Sequence, residues 1–328
     1  MTVTDRGHAL VGGQKKVVLR FLAAPMDANV RGYVGGGKIL EWIDKAGYAA
    51  AAAWSGSYSV TGYVGNIHLH RVVNVGDMVE VEARVVYTGR TSLQVVCTVT
   101  SHNPRDGVKV TNTQCLLVFV AMDADGKPTP VPPFTPEDDW ERAENERAQV
   151  LTGVRREVEE AMAVQVYSDA TETCRETLRF LAAPTDVNWG GKVHGGYVMH
   201  WIMTAGKLVA ERWTHGHDPR ATYAGGFRFY RPMYIGDLVE VDARLIYTDG
   251  AEMHVSVHVR SGDPRGSELH TTTHCTIVYT AEDEAGNVVP VRPWVPRLPE
   301  DRALERHAVD LIQIRSRLGR SEPHRHDD

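Results

Sequence analysis

The sequence predicts an α+β protein made of two copies of one unit, on three observations. Long stretches recur at a constant offset: LRFLAAP at 19–25 returns at 178–184, and VGGGKILEWIDKAG at 34–47 returns as VHGGYVMHWIMTAG, 159 positions later. Each copy then carries one stretch of helical periodicity. Ile39, Ile43, Ala46 and Ala50 form it in the first, and Val198, Ile202, Ala205 and Val209 in the second. After the helix comes strand alternation, with Val79, Val81, Ala83 and Val85 pointing one way and Glu80, Glu82 and Arg84 the other. One long helix followed by an antiparallel meander is an α+β unit.

The elements follow in order along each copy. After a turn at 88–90, Leu93, Val95, Cys97 and Val99 continue the alternation, and 116–120 is a more continuous buried run. VGDMVEVEARVVYT at 75–88 answers IGDLVEVDARLIYT at 235–248, and TQCLLVFVAMDADG answers THCTIVYTAEDEAG. The units therefore span 17–136 and 176–296. Between them lies a connector, 137–175, in which Trp140, Leu151, Val154, Val158 and Met162 keep helical spacing and predict an amphipathic helix. A second charged segment opens 297–328, where a helix gives way to a tail, SEPHRHDD, expected to be disordered. Two repeats are too few for a solenoid. They suit a fused pseudo-dimer, with a symmetric interface inside one chain.

Composition narrows the function. Of the 328 residues, 42% are hydrophobic and 24% charged, the proportions of an ordinary globular protein, and a net charge of −6 argues against nucleic acid as partner. The opening MTVTDRGHAL has no apolar run and no 18-residue apolar stretch follows, so a cytoplasmic protein with no membrane partner is expected. Cys97, Cys115, Cys174 and Cys275 are widely spread without a C-x-x-C pair, and read as small buried hydrophobes. His68/His70 and His254/His258 invite a metal reading. Strand positions four apart lie about 13 Å from one another, and no third ligand is evident, so no metal is expected.

The segment GYVGGGK at 32–38 superficially fits a phosphate-binding loop, but the next residue is Ile39 where a magnesium-ligating hydroxyl belongs. Two physical readings of the glycine pairs Gly36–Gly37 and Gly195–Gly196 remain. They let the helix start pack closely against a neighbour, or they leave its unpaired N–H groups open to an oxygen that gains negative charge.

The ordered elements D-x-N-x-x-G-x-V-x-G-G, an acidic residue seven positions after the last glycine, V-G-D-x-V-E-V and G-R-T-S resemble acyl-CoA thioesterases of the hotdog fold. The tandem arrangement is similar to the double-hotdog, brain-type cytosolic acyl-CoA hydrolases. That resemblance implies a helix wrapped by a sheet in each unit. It also implies composite sites, with an acid from one helix and an amide plus a helix-start N–H from the other unit, and a homotrimer of double hotdogs. Carried over, Asp44 pairs with Asn188, His194 and Gly195 in one complete site, while Asn29 and Gly36 pair with Met203 in a degenerate one. His194 is matched only by Gly35. Asp44 is then general base or nucleophile, Asn188 and Gly195 polarise the thioester carbonyl, and His194 orients water, holds Asn188 or merely packs. Thr91, Ser92 and Gly196 are expected to bind substrate. No cofactor is implied beyond the CoA of the substrate. A hotdog enoyl-thioester hydratase or dehydratase, and a non-catalytic acyl-CoA-binding protein, stand as alternatives.

Overall fold

The structure, a computed structural model, describes residues 13–316 apart from 66 and 166. The tail expected at 321–328 lies outside these described residues. The first unit comprises β1 (Lys16–Leu22), α1 (Gly36–Ser55), β2 (Tyr58–Gly65), β3 (Ile67–His68), β4 (Met78–Thr88), β5 (Ser92–His102) and β6 (Val110–Met122). The connector forms α2 (Asp139–Ala163). The second unit repeats the plan with β7 (Arg175–Leu181), α3 (Gly195–Thr214), β8 (Asp218–Phe229), β9 (Leu238–Asp249), β10 (Glu252–Gly262) and β11 (His270–Glu282), then β12 (Val288–Val289) and α4 (Pro299–Ser316).

All of the strands join one antiparallel sheet, in the order β1-β4-β5-β6-β2-β8-β11-β10-β9-β7. This order is a palindrome about the β2–β8 seam, where Tyr63 faces Arg228 and Val64 faces Phe227. The short β3 crosses the seam and pairs Ile67 with Ala224. Alternation decides which residues face in: Val79, Val81, Ala83, Val85, Leu93, Val95, Cys97 and Val99 are all buried against α1. The run 116–120 is apolar throughout because both its faces are covered. Leu117 and Phe119 enter the main core, whereas Leu116 packs under α2 with Val86, Val96 and Ala148.

The connector helix follows the predicted face only in part. Ala148, Val158 and Met162 are buried, but Trp140, Leu151 and Val154 are half-buried. The Trp140 ring instead meets the Arg84 guanidinium at 4.8 Å. Buried Glu141 is held by Lys15 at 2.8 Å, a polar contact that apolar periodicity cannot register.

The central helices α1 and α3 cross with their starts pressed against one another. A Cβ at Gly37 would sit 3.0 Å from the His200 Cα, and one at Gly196 would sit 2.7 Å from the Glu41 Cα. Backbone against backbone leaves nothing that can yield, so these two positions require glycine. The close crossing brings the start of each helix to the flank of the other, and a cavity opens on either side.

Candidate active site

Asp44 lies in the third turn of α1, on the side turned toward the start of α3, and is only 2% exposed. Such burial costs a carboxylate dearly unless donors surround it. Three do. Thr61 of β2 donates its hydroxyl to Oδ1 at 2.7 Å, and the Gly196 backbone N–H donates to Oδ2 at 2.9 Å. The His194 Nδ1 lies 3.1 Å from the same Oδ2. The Gly196 N–H lies between the Asp44 carboxylate and this Nδ1, 3.0 Å from the ring nitrogen; with a hydrogen on Nδ1 donated to Asp44, that N–H goes to the carboxylate alone and Nε2 is left as an acceptor. The positive end of the α3 dipole adds to the field that holds the carboxylate charged.

His194 is the N-cap of α3, and Gly195 is the first helical residue. The Gly195 N–H has no hydrogen-bond partner among the described residues. Asn188 sits in a tight turn, where its Oδ1 accepts from the N–H groups of Gly190 at 2.8 Å and Lys192 at 3.1 Å. With the oxygen pinned, Nδ2 is the donor end; it makes a long 3.5 Å approach to the Val193 carbonyl and lies near the Tyr58 phenol. Asp44, Thr61, Asn188, His194, Gly195 and Arg231 together line a cavity of about 510 Å³. The arrangement offers a carboxylate, an imidazole, the free Gly195 N–H and the weakly engaged Asn188 amide around one space.

A second cavity, of about 730 Å³, occupies the symmetric place and contains Asn29, Gly36, Met203 and Arg71. Met203 fills the position of Asp44, so tightly that a Cβ on Gly36 would come within 2.9 Å of its Cε. The α1 cap is Gly35, with no side chain to offer. Thr61 has a counterpart here too. Thr61 is paired with Phe119 and Ala221 with Tyr279, equivalent positions of the two sheets, and alanine offers no hydroxyl. At the positions equivalent to Asp44, His194 and Thr61 this cavity has no carboxylate, imidazole or hydroxyl; its polar side chains, Glu41, His200 and Thr204 among them, come from other positions.

The structure places four of the candidate residues as follows. Thr91 and Ser92 lie at the β4–β5 turn and do not line the cavity that holds Asp44. Thr91 is engaged through its carbonyl with the Ala121 N–H at 2.9 Å, and Ser92 pairs with Val120. Gly196 cannot serve a substrate with its N–H, because that group points at Asp44. His194 does not hold Asn188; it caps α3 and touches Asp44. Thr61 escaped the sequence reading, although the same unit-by-unit comparison that exposed Met203 would have found it opposite Ala221. Among the described residues, no group of three His, Cys, Asp or Glu side chains is placed to hold a metal, and no helix is long and apolar enough to cross a membrane.

Two helix-wrapped antiparallel units joined edge to edge, with a carboxylate on one central helix facing the start of the other, define a tandem hotdog protein. Residues 31–108 and 190–268 each match the thioesterase superfamily. The chain is 35% identical over 122 residues to an acyl-CoA thioester hydrolase of Salmonella typhimurium, covering 36% of this chain and 92% of that protein. It is 24% identical over 324 residues to the acetyl-coenzyme A thioesterase of Rattus norvegicus, across 93% of this chain, and spans 58% of that relative's length. Among solved structures, a putative oleoyl thioesterase from Lactobacillus plantarum superimposes with a TM-score of 0.57 at 10% identity, covering 84% of this chain and 100% of that one, which shows a common fold. The chain belongs to the thioesterase superfamily.

Proposed function

We propose that the chain hydrolyses acyl-CoA thioesters to a free acid and CoA at one composite site, the symmetric cavity being catalytically empty. The observation that carries this reading is the Asp44 carboxylate, held by donors from both units at the edge of a cavity that also presents the free Gly195 N–H and the Asn188 amide. The thioester carbonyl would rest on the Gly195 N–H and the Asn188 Nδ2. Asp44, or His194 through Nε2, draws a proton from water as its oxygen attacks the carbonyl carbon. The negative charge that builds on the carbonyl oxygen is met by the two N–H donors and the α3 dipole. When the intermediate collapses, the C–S bond breaks and the stored proton returns to the CoA thiolate. No cofactor takes part.

The test follows free thiol released from acyl-CoAs of short to long chain. Wild type is expected to release thiol, and Asp44→Asn to lower kcat by about 10²–10⁴-fold. No release from any chain length, with acyl-CoA still bound, would leave a binding protein instead. The 3.1 Å contact between His194 and Asp44 favours a second reading, a hydratase that shuttles protons through that pair. Addition of water to an enoyl-CoA without thiol release would select it.

Further assembly is part of the same proposal. β1 and β7 are the outermost strands, and both end on exposed leucines, Leu22 and Leu181, near exposed Met26 and Val30. Unpaired edges flanked by apolar side chains invite another copy. Light scattering is expected to give three times the mass of the chain.

A further inference from the structure

The cavity that holds Asp44 carries a wall of aromatic rings at three positions where its twin has none, the twin's own rings, Phe180 and Trp201 among them, standing elsewhere. Tyr48 follows Asp44 by one turn of α1, about 6 Å along the axis. Its ring stacks on Trp189 with centroids 4.3 Å apart and planes 1° from parallel, while Tyr58 tilts against it at 6.1 Å. The indole in turn lies 5.7 Å from the His194 ring. The equivalent positions are Lys207, which lines the symmetric cavity, and Val30 and Asp218, which do not; Lys207 and Arg31 approach the Asp218 carboxylate at 4.0 and 3.1 Å. The stacked pair Tyr48–Trp189 is thus matched by a lysine and an exposed valine in the other unit.

The wall is built into the chain. A Cβ at residue 190 would lie 2.5 Å from the Tyr58 hydroxyl oxygen, so Gly190 makes room for that ring. Trp189 is 63% exposed, and with Tyr48 covering one face of the indole the other is open. The Tyr58 oxygen is buried. The Asn188 amide lies close enough to perturb the phenol but short of hydrogen-bond geometry, so the hydroxyl is unpartnered.

Position decides which part of a thioester meets these rings. The indole is one ring contact from His194, which itself touches Asp44, so whatever reaches it is bonded close to the reacting carbon. The adenine of CoA, at the far end of the long pantetheine arm, is too distant. The phosphates of CoA call for cations, and the cavity's Lys192 and Arg231 lie outside the aromatic trio. On the hydrolase reading above, we propose that the Tyr48–Trp189 stack is the acyl-group wall of the site, and that it selects thioesters whose acyl group carries an aromatic ring near the thioester carbon. A planar ring can lie on the open indole face or meet it edge-on, at the roughly 4.5–7 Å separations aromatic pairs prefer. A stacked pair of rings does not fold aside for a long flexible chain as methionines would.

The test compares phenylacetyl-CoA with octanoyl-CoA, which carry the same number of acyl carbons, in wild type, Trp189→Val and Tyr48→Leu. Valine already stands at the equivalent position of the first unit, so the loop tolerates it. Wild type is expected to favour phenylacetyl-CoA in kcat/KM. Each variant is expected to reduce that preference about tenfold, mostly through KM for the aryl substrate. A wild-type preference for octanoyl-CoA would overturn the proposal, as would a ratio that stays within about twofold while thiol is still released. If wild type releases no thiol from either substrate, the hydrolase reading fails, and calorimetric binding of the two thioesters still judges the wall. A selective loss of phenylacetyl-CoA affinity in Trp189→Val supports it, and equal affinities overturn it.

Discussion

The two cavities between α1 and α3 are built from equivalent positions of a duplicated unit, yet they have diverged in opposite directions. One gathers Asp44, Thr61 and His194 around a buried carboxylate; the other offers Met203, Ala221 and Gly35. The losses fall together for a physical reason. A carboxylate at this depth is tolerable only while its donors remain, because a buried charge without partners is strongly destabilising. Once the hydroxyl or the imidazole is gone, the acid becomes a liability and an apolar side chain of similar reach is the more stable occupant. The α1–α3 crossing is indifferent to this choice, since it depends on Gly37 and Gly196, which both halves keep.

Four changes sharpen the contrast, from the largest expected effect to the smallest. Asp44→Asn lowers kcat by about 10²–10⁴-fold, whereas Met203→Leu leaves it near wild type; steady-state thiol release on both decides whether one site works or two. Thr61→Val keeps the shape and removes the hydroxyl. It is expected to cost about tenfold in kcat, as befits one hydrogen bond to a charged group, while Ala221→Thr changes nothing. Placing Met203→Asp in an Asp44→Asn background should not restore hydrolysis, because neither Gly35 nor Ala221 supplies a donor. It should instead lower the melting temperature, by roughly 2–4 °C for each kcal/mol of buried, unpartnered polarity.

The smallest effect compares the outer faces of the two halves of the sheet. In the second unit His258 and His274 are paired across β10 and β11, where the first unit has Thr98 and Gln114. Burial pushes His258 down to about 4 and His274 to about 3, and burial of the inner face of α4 takes His307 on that helix to about 4. Every shift is downward from an ordinary value near 6.5, so the unfolded chain takes up these protons first. Stability is then fully present above pH 6.5 and declines as pH falls toward 4 and 3, by about 1 kcal/mol per pH unit for each histidine. Denaturant titrations at pH 7 and pH 5 measure the slope. The double variant His258→Thr, His274→Gln should flatten it, and an unchanged slope would show that these groups do not control it.

Much of this architecture can be read from periodicity and repetition alone. The helical face of Ile39, Ile43, Ala46 and Ala50 and the strand face of Val79 to Val85 are buried as their spacing predicts, because periods of 3.6 and 2 follow directly from backbone geometry. The asymmetry of Asp44 and Met203 also stood in the sequence, since two aligned copies expose any position where they disagree. Thr61 and Trp189 carry the same kind of signal, opposite Ala221 and Val30, without belonging to a motif that draws the eye.

Other features needed the folded chain. That the Gly196 N–H faces Asp44 and leaves Gly195 free, that Thr91 and Ser92 stay at a distant turn, and that Tyr48 stacks on Trp189 are contacts between segments far apart in sequence. Sequence by itself determined the repeat, the elements and which residues are unlike between the copies, because these depend on local period and composition. Only the tertiary structure decided which atoms of α1 meet which atoms of α3, because that follows from the β2–β8 seam and the glycine-tight helix crossing.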